Sequence, residues 1–167
     1  MSLTHPIFPI SIENSSAQII LTPCPATKEV DLKTSLTQLK QAGAEALLTL
    51  MTQDELDKNQ LSTIGESVQA VGMTWYHLPI IDDHMPEHAF MEAWENAGPA
   101  VQALLEQGKS IALHCKGGSG RTGLVAAQIL LQRGEAIGPV MARIQAVRPN
   151  AFTQTCQRDY LINLKAL

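Results

Sequence analysis

The sequence predicts an α/β fold of three layers, in which helices cover both faces of a central, mostly parallel sheet. Two observations support this class. Short apolar or alternating segments follow one another along the chain, and stretches with apolar residues at helical spacing separate them. No repeat, low-complexity tract or polar linker divides the 167 residues, so we expect one domain over residues 1–167 with a single core.

The first half of the chain predicts a hairpin followed by alternating helices and strands. Residues 7–12 and 18–21 are short extended segments that can pair as the hairpin. Leu32, Leu36 and Leu39 recur at helical spacing, and Gly43 lies where this helix should end. Residues 44–51 follow as a buried strand. A helical stretch around 61–71 then leads to a strand at 74–78.

The second half continues the alternation. After a loop at 79–86, Phe90, Trp94, Val101 and Leu104 mark a helix that should stop near Gly108. Residues 110–114 form a short apolar strand suited to the centre of a sheet. Residues 124–131 are apolar on nearly every side, as expected of a buried helix. Two further helices are predicted, one between residues 139 and 149 and one around 160–164.

Composition excludes several classes of function. A formal net charge of −4 with 45% hydrophobic residues is typical of a globular protein without general affinity for nucleic acid. The three cysteines are widely spaced and odd in number, which favours a reducing compartment over a disulfide framework. There is no leader-like segment, no apolar run that could span a membrane and no paired-cysteine metal signature. We therefore expect a cytoplasmic protein without metal, cofactor or membrane partner, and its oligomeric state stays open.

One segment carries a chemical signature: HCKGGSGRTG, residues 114–123, which joins the predicted strand 110–114 to the buried helix. Its glycines permit positive φ and turn successive backbone N–H groups toward one side, which creates a nest for an anion. The helix that follows adds its N-terminal dipole and free N–H groups. We expect phosphate to be bound by Lys116, Gly117, Gly118, Ser119, Gly120 and Arg121.

Cys115 and Arg121 give this nest a possible reaction. A thiol at a helix start ionises readily, so we expect Cys115 to be a nucleophilic thiolate near neutral pH. Arg121 presents a planar fork that can hold two phosphate oxygens. Thr122 is expected to donate a hydrogen bond to the thiolate, and His114 to brace the loop from behind. The competing interpretation, a tight turn beside a small buried cysteine, leaves the position of the arginine unexplained.

The segment HCKGGSGRTG resembles the phosphate-binding signature of the cysteine-dependent protein tyrosine and dual-specificity phosphatases, whose His-Cys-five-residue-Arg pattern it matches without a gap. The stretches LTPCP, YHLPIIDD and RPNAF are similar to those of kinase-associated dual-specificity phosphatases, which act on cyclin-dependent kinases. The resemblance covers most of the chain. It implies a protein tyrosine phosphatase-like fold and hydrolysis of a phosphorylated protein or peptide through a phosphocysteine intermediate.

Hydrolysis also requires an acid for the leaving oxygen and a group that positions water. The resemblance places the acid at Asp82, within a Leu-Pro-Ile-x-Asp stretch, and Asp83 is the alternative. The tryptophan-containing acid loop of the family is absent here, as in many dual-specificity members. The family often positions water with a glutamine near its last helix; Gln154 and Gln157 both lie there, and spacing does not decide between them.

Other residues have simpler interpretations. We expect Cys24 and Cys156 to be packing residues, and His84 and His88 to face solvent, while Lys116 can either touch substrate or extend into water. The leading hypothesis is a phosphatase for phosphotyrosine and for phosphoserine or phosphothreonine. Alternatives are a non-catalytic phosphoprotein-binding module, a phosphatase for a small-molecule phosphate ester, and a sulfur-transfer enzyme.

Overall fold

The computed structural model of the protein describes residues 3–165, so Met1, Ser2, Ala166 and Leu167 lie outside the described residues. Within this range the chain alternates strands and helices, as the sequence predicts. The strands are β1 (Phe8–Ser11), β2 (Gln18–Thr22), β3 (Ala44–Thr49), β4 (Thr74–His77) and β5 (Ser110–His114). The helices are α1 (Leu32–Gln41), α2 (Gln53–Lys58), α3 (Ile64–Ala70), α4 (His88–Glu106), α5 (Gly120–Gln132), α6 (Ile137–Val147) and α7 (Thr155–Lys165).

The five strands form one sheet in the order β1-β2-β5-β3-β4. β1 pairs with β2 antiparallel as the predicted hairpin, and every other pair is parallel. β5 is the central strand, with β2 and β3 as its neighbours. Because parallel strands end at the same edge, the segments that follow β3, β4 and β5 meet there. This edge carries the candidate site.

Helices cover both faces of the sheet, which confirms the three-layer α/β class. One core packs α4, α5, α6 and α7 against residues such as Leu21, Leu48 and Leu113. The other packs α1, α2 and α3 against Ile20 and Leu47 on the opposite face. The expectation of a single core is therefore wrong, because the sheet separates the buried residues into two clusters. Within residues 3–165, none of the helices is both long and apolar enough to cross a membrane. That residues 1–167 are one complete domain stays a prediction.

One helix was absent from the sequence-based assignment. The sequence predicts one helical stretch around residues 61–71, which corresponds to α3, whereas the structure also has α2 before it. α2 is short, but a capping box stabilises its start: the Thr52 side chain accepts from the Glu55 backbone N–H, and the Glu55 carboxylate accepts from the Thr52 N–H. The same box orients Glu55 toward the site described next.

Candidate active site

The segment between β5 and the first turn of α5, called here the Cys-Arg loop (residues 115–121), is anchored on both sides by neighbouring strands. The Cys24 N–H, just beyond β2, donates to the Lys116 carbonyl at 3.0 Å. The Leu50 N–H, just beyond β3, donates to the His114 carbonyl at 3.0 Å. The sheet therefore fixes the base of this loop from two directions.

Glycine is required at one position of the Cys-Arg loop. Gly118 has a φ of +78°, and a Cβ there would lie 2.6 Å from the carbonyl carbon of Thr22. The expectation that the other loop glycines also adopt positive φ is wrong, since Gly117 and Gly120 are not among the residues with positive φ. Gly120 already begins α5, and a Cβ on Gly117 would meet open space. The neighbouring backbone, rather than the number of glycines, sets the path of the loop.

Cys115 lies at the bottom of the site and is 4% exposed. The Thr122 hydroxyl donates a hydrogen bond to its Sγ at 3.1 Å, the contact that the sequence suggested. α5 starts at Gly120, and its N-cap residue Ser119 makes no side-chain capping hydrogen bond. The N–H groups of the first turn of α5 are therefore not covered by that hydroxyl, which leaves them available to an anion.

His114 supports the loop through a chain of hydrogen bonds. Its Nδ1 lies 3.0 Å from the Cys115 carbonyl, which can only accept, so Nδ1 carries the proton. Its Nε2 then accepts from the Thr49 hydroxyl at 2.8 Å, and Thr49 Oγ1 accepts from Trp75 Nε1 at 2.8 Å. Burial lowers the pKa of His114 to about 4, despite the hydrogen bond to Cys115. A neutral imidazole with one fixed tautomer thus lies behind Cys115.

Arg121 is held by a carboxylate that the sequence analysis did not identify. Its Nη1 donates to Glu55 Oε1 at 2.6 Å and its Nη2 to Glu55 Oε2 at 2.9 Å, a bidentate pair. Nη1 also donates to the Ile80 carbonyl at 2.9 Å. The Arg121 side chain is only 1% exposed. Glu55 and Ile80 therefore fix the plane of the guanidinium.

The ion pair between Arg121 and Glu55 affects the pKa of each partner more than burial does. Burial alone would lower the pKa of Arg121, but the Glu55 hydrogen bond and the nearby Cys115 sulfur raise it above its ordinary value. Burial alone would raise the pKa of Glu55, but hydrogen bonds from Arg121 and Thr52 bring it below its ordinary value. Both groups are therefore charged at neutral pH.

The two candidate acids occupy different positions in the segment 79–87, called here the Asp82 loop. Asp82 Oδ1 lies 3.3 Å from Arg121 Nη2 and 3.0 Å from the Asp83 N–H. Asp83 has a φ of +62°, and its side chain faces Gln154, whose Nε2 is 3.4 Å from Asp83 Oδ1. Asp82 is therefore the carboxylate beside the guanidinium, and Asp83 points toward α7.

The start of α7 contacts the Asp82 loop through side chains. Gln157 is buried and donates from Nε2 to the His84 carbonyl at 2.9 Å. Gln154, in contrast, lines the pocket above Cys115. The expectation that Cys156 packs in the core is wrong: it is exposed, with Sγ 3.5 Å from the Asp83 carbonyl, because it starts the solvent side of α7. Cys24 is buried, and burial raises the pKa of its thiol to about 12.

Two cationic side chains border the loop. Arg148 donates to the carbonyls of Gly118 (Nε, 3.1 Å) and Gly117 (Nη2, 2.6 Å), and its guanidinium lies 4.3 Å from the centre of the Phe8 ring. By holding these carbonyls on the outside, Arg148 favours a loop whose N–H groups turn inward. Lys116 Nζ instead donates to Asn59 Oδ1 at 2.6 Å, at the end of α2.

These groups surround one pocket of about 290 Å³. Its rim combines the Cys-Arg loop, the tip of the Asp82 loop and the segment before α7. The lining residues are Asp82, Asp83, Cys115, Lys116, Gly117, Ser119, Gly120, Arg121, Asn150, Thr153 and Gln154. The structure thus brings nearly all of the predicted site residues to one place; Gly118, His114, Thr122 and Gln157 lie behind its wall.

Sequence reasoning missed Glu55 and Arg148. The pattern Thr-x-x-Glu at residues 52–55 is a recognisable capping box and could have revealed α2, although not the ion pair with Arg121. Arg148 lies in the RPNAF stretch noted for its resemblance, but nothing local indicates that it faces the loop carbonyls. Both contacts are products of tertiary structure.

Comparisons with known proteins agree with this geometry. Residues 25–135 match the family model described as "Polymorphic toxin system, DSP-PTPase phosphatase". The chain is 30% identical over 160 residues to cyclin-dependent kinase inhibitor 3 of Rattus norvegicus, covering 92% of this chain and 74% of that protein.

Solved structures share the fold. Kinase associated phosphatase, with its catalytic-site cysteine substituted by serine, superimposes with a TM-score of 0.86 at 22% identity, covering 99% of this chain and 97% of the other. Tk-PTP in its active form gives a TM-score of 0.71 at 22% identity, covering 89% and 91%. With the family model and the rat relative, these findings show that the chain belongs to the dual-specificity phosphatases, cysteine-dependent hydrolases of phosphate monoesters.

Proposed function

We propose that this phosphatase hydrolyses phosphotyrosine, and phosphoserine or phosphothreonine, on protein substrates through a phosphocysteine intermediate on Cys115. One observation carries the proposal: the Cys115 sulfur, the Arg121 guanidinium and the Asp82 carboxylate line the same pocket. A binding module would need only the anion nest, whereas this arrangement also supplies a nucleophile and an acid.

In the first step the Cys115 thiolate attacks phosphorus, and the S–P bond forms as the bond to the leaving oxygen breaks. The Thr122 hydroxyl donates to this sulfur, and α5 begins at the end of the same loop. Backbone N–H groups of residues 116–121 and the Arg121 guanidinium bind the other phosphate oxygens. Arg121 Nε is buried and has no hydrogen-bond partner among residues 3–165, so it can donate to one of them.

Asp82 protonates the leaving oxygen in this step, because its carboxyl group is next to Arg121 and exposed toward the pocket mouth. In the second step the Asp82 carboxylate accepts a proton from water, the water oxygen bonds to phosphorus, and the S–P bond breaks to regenerate the thiolate. We propose that Gln154 positions this water, since Gln154 lines the pocket whereas Gln157 does not and donates from Nε2 to the His84 carbonyl.

A protein substrate is supported by the relatives. One carries the name cyclin-dependent kinase inhibitor 3, and the fold match with the highest quoted TM-score is named kinase associated phosphatase. We propose a phosphorylated protein as partner. The mechanism needs Cys115 reduced, which fits a reducing compartment such as the cytoplasm. Assaying phosphopeptides beside small phosphate esters separates this proposal from a small-molecule phosphatase.

The nucleophile is tested by Cys115→Ser. This variant should hydrolyse no aryl phosphate while still binding inorganic phosphate, because the anion nest is retained and the thiolate is lost. Cys156→Ser is the matched control, since that thiol is exposed on α7, and it should keep normal turnover. Continued turnover by Cys115→Ser would exclude the mechanism, and formation of a persulfide on Cys115 with thiosulfate would favour sulfur transfer.

The acid is tested by comparing Asp82→Asn with Asp83→Asn. Loss of a general acid should lower turnover by about 100-fold or more for esters with poor leaving groups and much less for nitrophenyl phosphate. We expect this dependence for Asp82→Asn alone. If Asp83→Asn shows it instead, the assignment moves to Asp83.

A further inference from the structure

A second pocket of about 310 Å³ lies on the other side of the Asp82 loop, and none of the roles described so far uses it. We call it the flank pocket. Its walls are mainly apolar and come from the loop itself, the start of α2 and the start of α4. Its lining residues are Thr52, Pro79, Ile80, Ile81, Met85, Glu87, His88 and Ala89.

The flank pocket is adjacent to the residues that hold Arg121. The Ile80 carbonyl accepts from Arg121 Nη1 at 2.9 Å. The Thr52 backbone N–H donates to Glu55, whose carboxylate holds the same guanidinium. The next residue after Ile81 is Asp82, which lines the pocket of about 290 Å³ above Cys115, called here the phosphate pocket. The walls of the two pockets are thus formed by consecutive residues of the chain. A substrate whose phosphate reaches Cys115 therefore has the flank pocket beside the same loop.

Its apolar surface is open to solvent. Ile81 is 52% exposed and Met85 is 42% exposed, which places both among the few exposed large hydrophobic residues of the described chain. Exposed apolar groups around a concavity of this size are typical of a ligand-binding surface. The volume suits one aliphatic side chain rather than a whole helix.

The charges around the flank pocket select the kind of ligand. The Asp82 loop carries Asp82, Asp83 and Glu87, all exposed, and no lysine or arginine occurs anywhere from Asn59 to Gly108. An acidic surrounding repels an anionic lipid surface and attracts basic peptide segments. The occupant that fits both the walls and the charges is an aliphatic residue in a basic peptide.

We propose, on the basis of the phosphatase function given above, that the flank pocket binds a leucine-like side chain located a few residues from the phosphorylated residue of a basic protein substrate. The phosphate and the aliphatic side chain then occupy the two sides of the Asp82 loop. Substrate choice depends on both, whereas the chemistry at Cys115 depends on the phosphate alone.

The test uses phosphotyrosine peptides that contain arginine and carry either leucine or alanine at each of the three positions on either side of the phosphotyrosine. At one position, leucine should raise kcat/KM about tenfold over alanine, the usual discrimination for a few methylene groups in an apolar pocket. Met85→Ser, which removes part of the wall, and Ala89→Phe, which fills the pocket, should both bring this ratio close to one. Met91→Ser should retain it, because Met91 is similarly exposed on α4 but does not line the pocket.

The ratio of kcat/KM for the leucine peptide to that for the alanine peptide is unaffected by a variant that slows the chemical step equally for both. Equal rates for leucine and alanine peptides at every position, or a ratio that survives both pocket variants, would overturn the flank pocket while leaving the phosphatase intact. Hydrolysis of nitrophenyl phosphate without hydrolysis of any peptide would overturn the protein-phosphatase proposal and the flank pocket with it. If a phosphoinositide in phosphatidylcholine vesicles is hydrolysed faster than the peptides, and Met85→Ser removes this advantage, the pocket would be assigned to a lipid instead.

Discussion

The Cys-Arg loop and the Asp82 loop face each other across the phosphate pocket, but the rest of the molecule supports them differently. Buried groups hold the Cys-Arg loop: the backbones that follow β2 and β3, the neutral His114 and the Arg121–Glu55 pair. The tip of the Asp82 loop is exposed: Asp83 contacts Gln154, just before α7, at 3.4 Å, and the buried Gln157 of α7 donates to the His84 carbonyl at 2.9 Å. The proposed reaction thus combines a firmly held anion site with a proposed acid on a more exposed segment, and Arg121 contacts both.

The largest effect should come from breaking this link at Glu55. Glu55→Gln leaves the buried Arg121 charge without its carboxylate, so unfolding free energy should fall by about 3 kcal/mol and kcat/KM by about 100-fold. Chemical denaturation and nitrophenyl phosphate kinetics measure the two effects. Glu106→Gln is the control, because Glu106 pairs with Arg133 at 3.4 Å on an exposed surface and should matter little. Equal behaviour of the two variants would mean that Arg121 holds its position without the ion pair.

The next effect concerns the backbone of the Cys-Arg loop. Gly118→Ala combines positive φ with a Cβ only 2.6 Å from the Thr22 carbonyl carbon, and it should cost about 2 kcal/mol of stability. Gly117→Ala meets open space without positive φ and should change stability by less than about 1 kcal/mol. Thermal unfolding of both variants provides the comparison. A Gly118→Ala protein as stable as Gly117→Ala would show that the loop can shift away from β2.

Acid should weaken the buried side of the site. The folded pKa of His114 is about 4, below its ordinary value of 6.5, so the unfolded chain binds a proton first as the pH falls. The contribution of neutral His114 to stability is therefore complete above pH 6.5 and is lost as the pH falls toward 4, by at most about 1.4 kcal/mol per pH unit.

Denaturant titrations between pH 7 and 4.5 measure this slope above the range in which most carboxylates titrate. His114→Gln should flatten it, and His84→Asn, on the exposed side of the Asp82 loop, should leave it unchanged. An unchanged slope in His114→Gln would place the dominant proton uptake elsewhere, with buried His5 as the next candidate because burial also lowers its pKa.

The smallest effect should come from the outer support of the Cys-Arg loop. Arg148→Ala removes the hydrogen bonds to the Gly117 and Gly118 carbonyls. The Cys-Arg loop should then be held less firmly, as the Asp82 loop is. Vanadate affinity should fall about fivefold, which corresponds to about 1 kcal/mol. Arg148→Lys should restore only part of it, since an ammonium lacks the planar fork. Arg133→Ala is the control; the same loss there would point to a general charge effect.

The sequence predicted the features that are encoded locally. Periodicity identified the five strands, and the compact spacing from Cys115 to Arg121 indicated the loop between β5 and α5. Glu55 was missed because it is 66 residues from Arg121, and a capping box indicates a helix start but not what the glutamate contacts. The path of the loop at Gly118 depends on the nearby backbone of Thr22. The exposure of Cys156 depends on which face of α7 packs against the rest of the molecule. Such relationships exist only after the sheet has assembled.

The hydrogen-bonded chain from Trp75 through Thr49 to His114 also gives the protein an intrinsic optical reporter. Trp75 and Trp94 are its two tryptophans, and Trp94 stacks on Phe90 in α4, with no part in that chain. In a Trp94→Phe background, the remaining indole is joined by two hydrogen bonds to the imidazole beneath Cys115. We therefore expect its fluorescence to report on anions that bind above Cys115 without any added label.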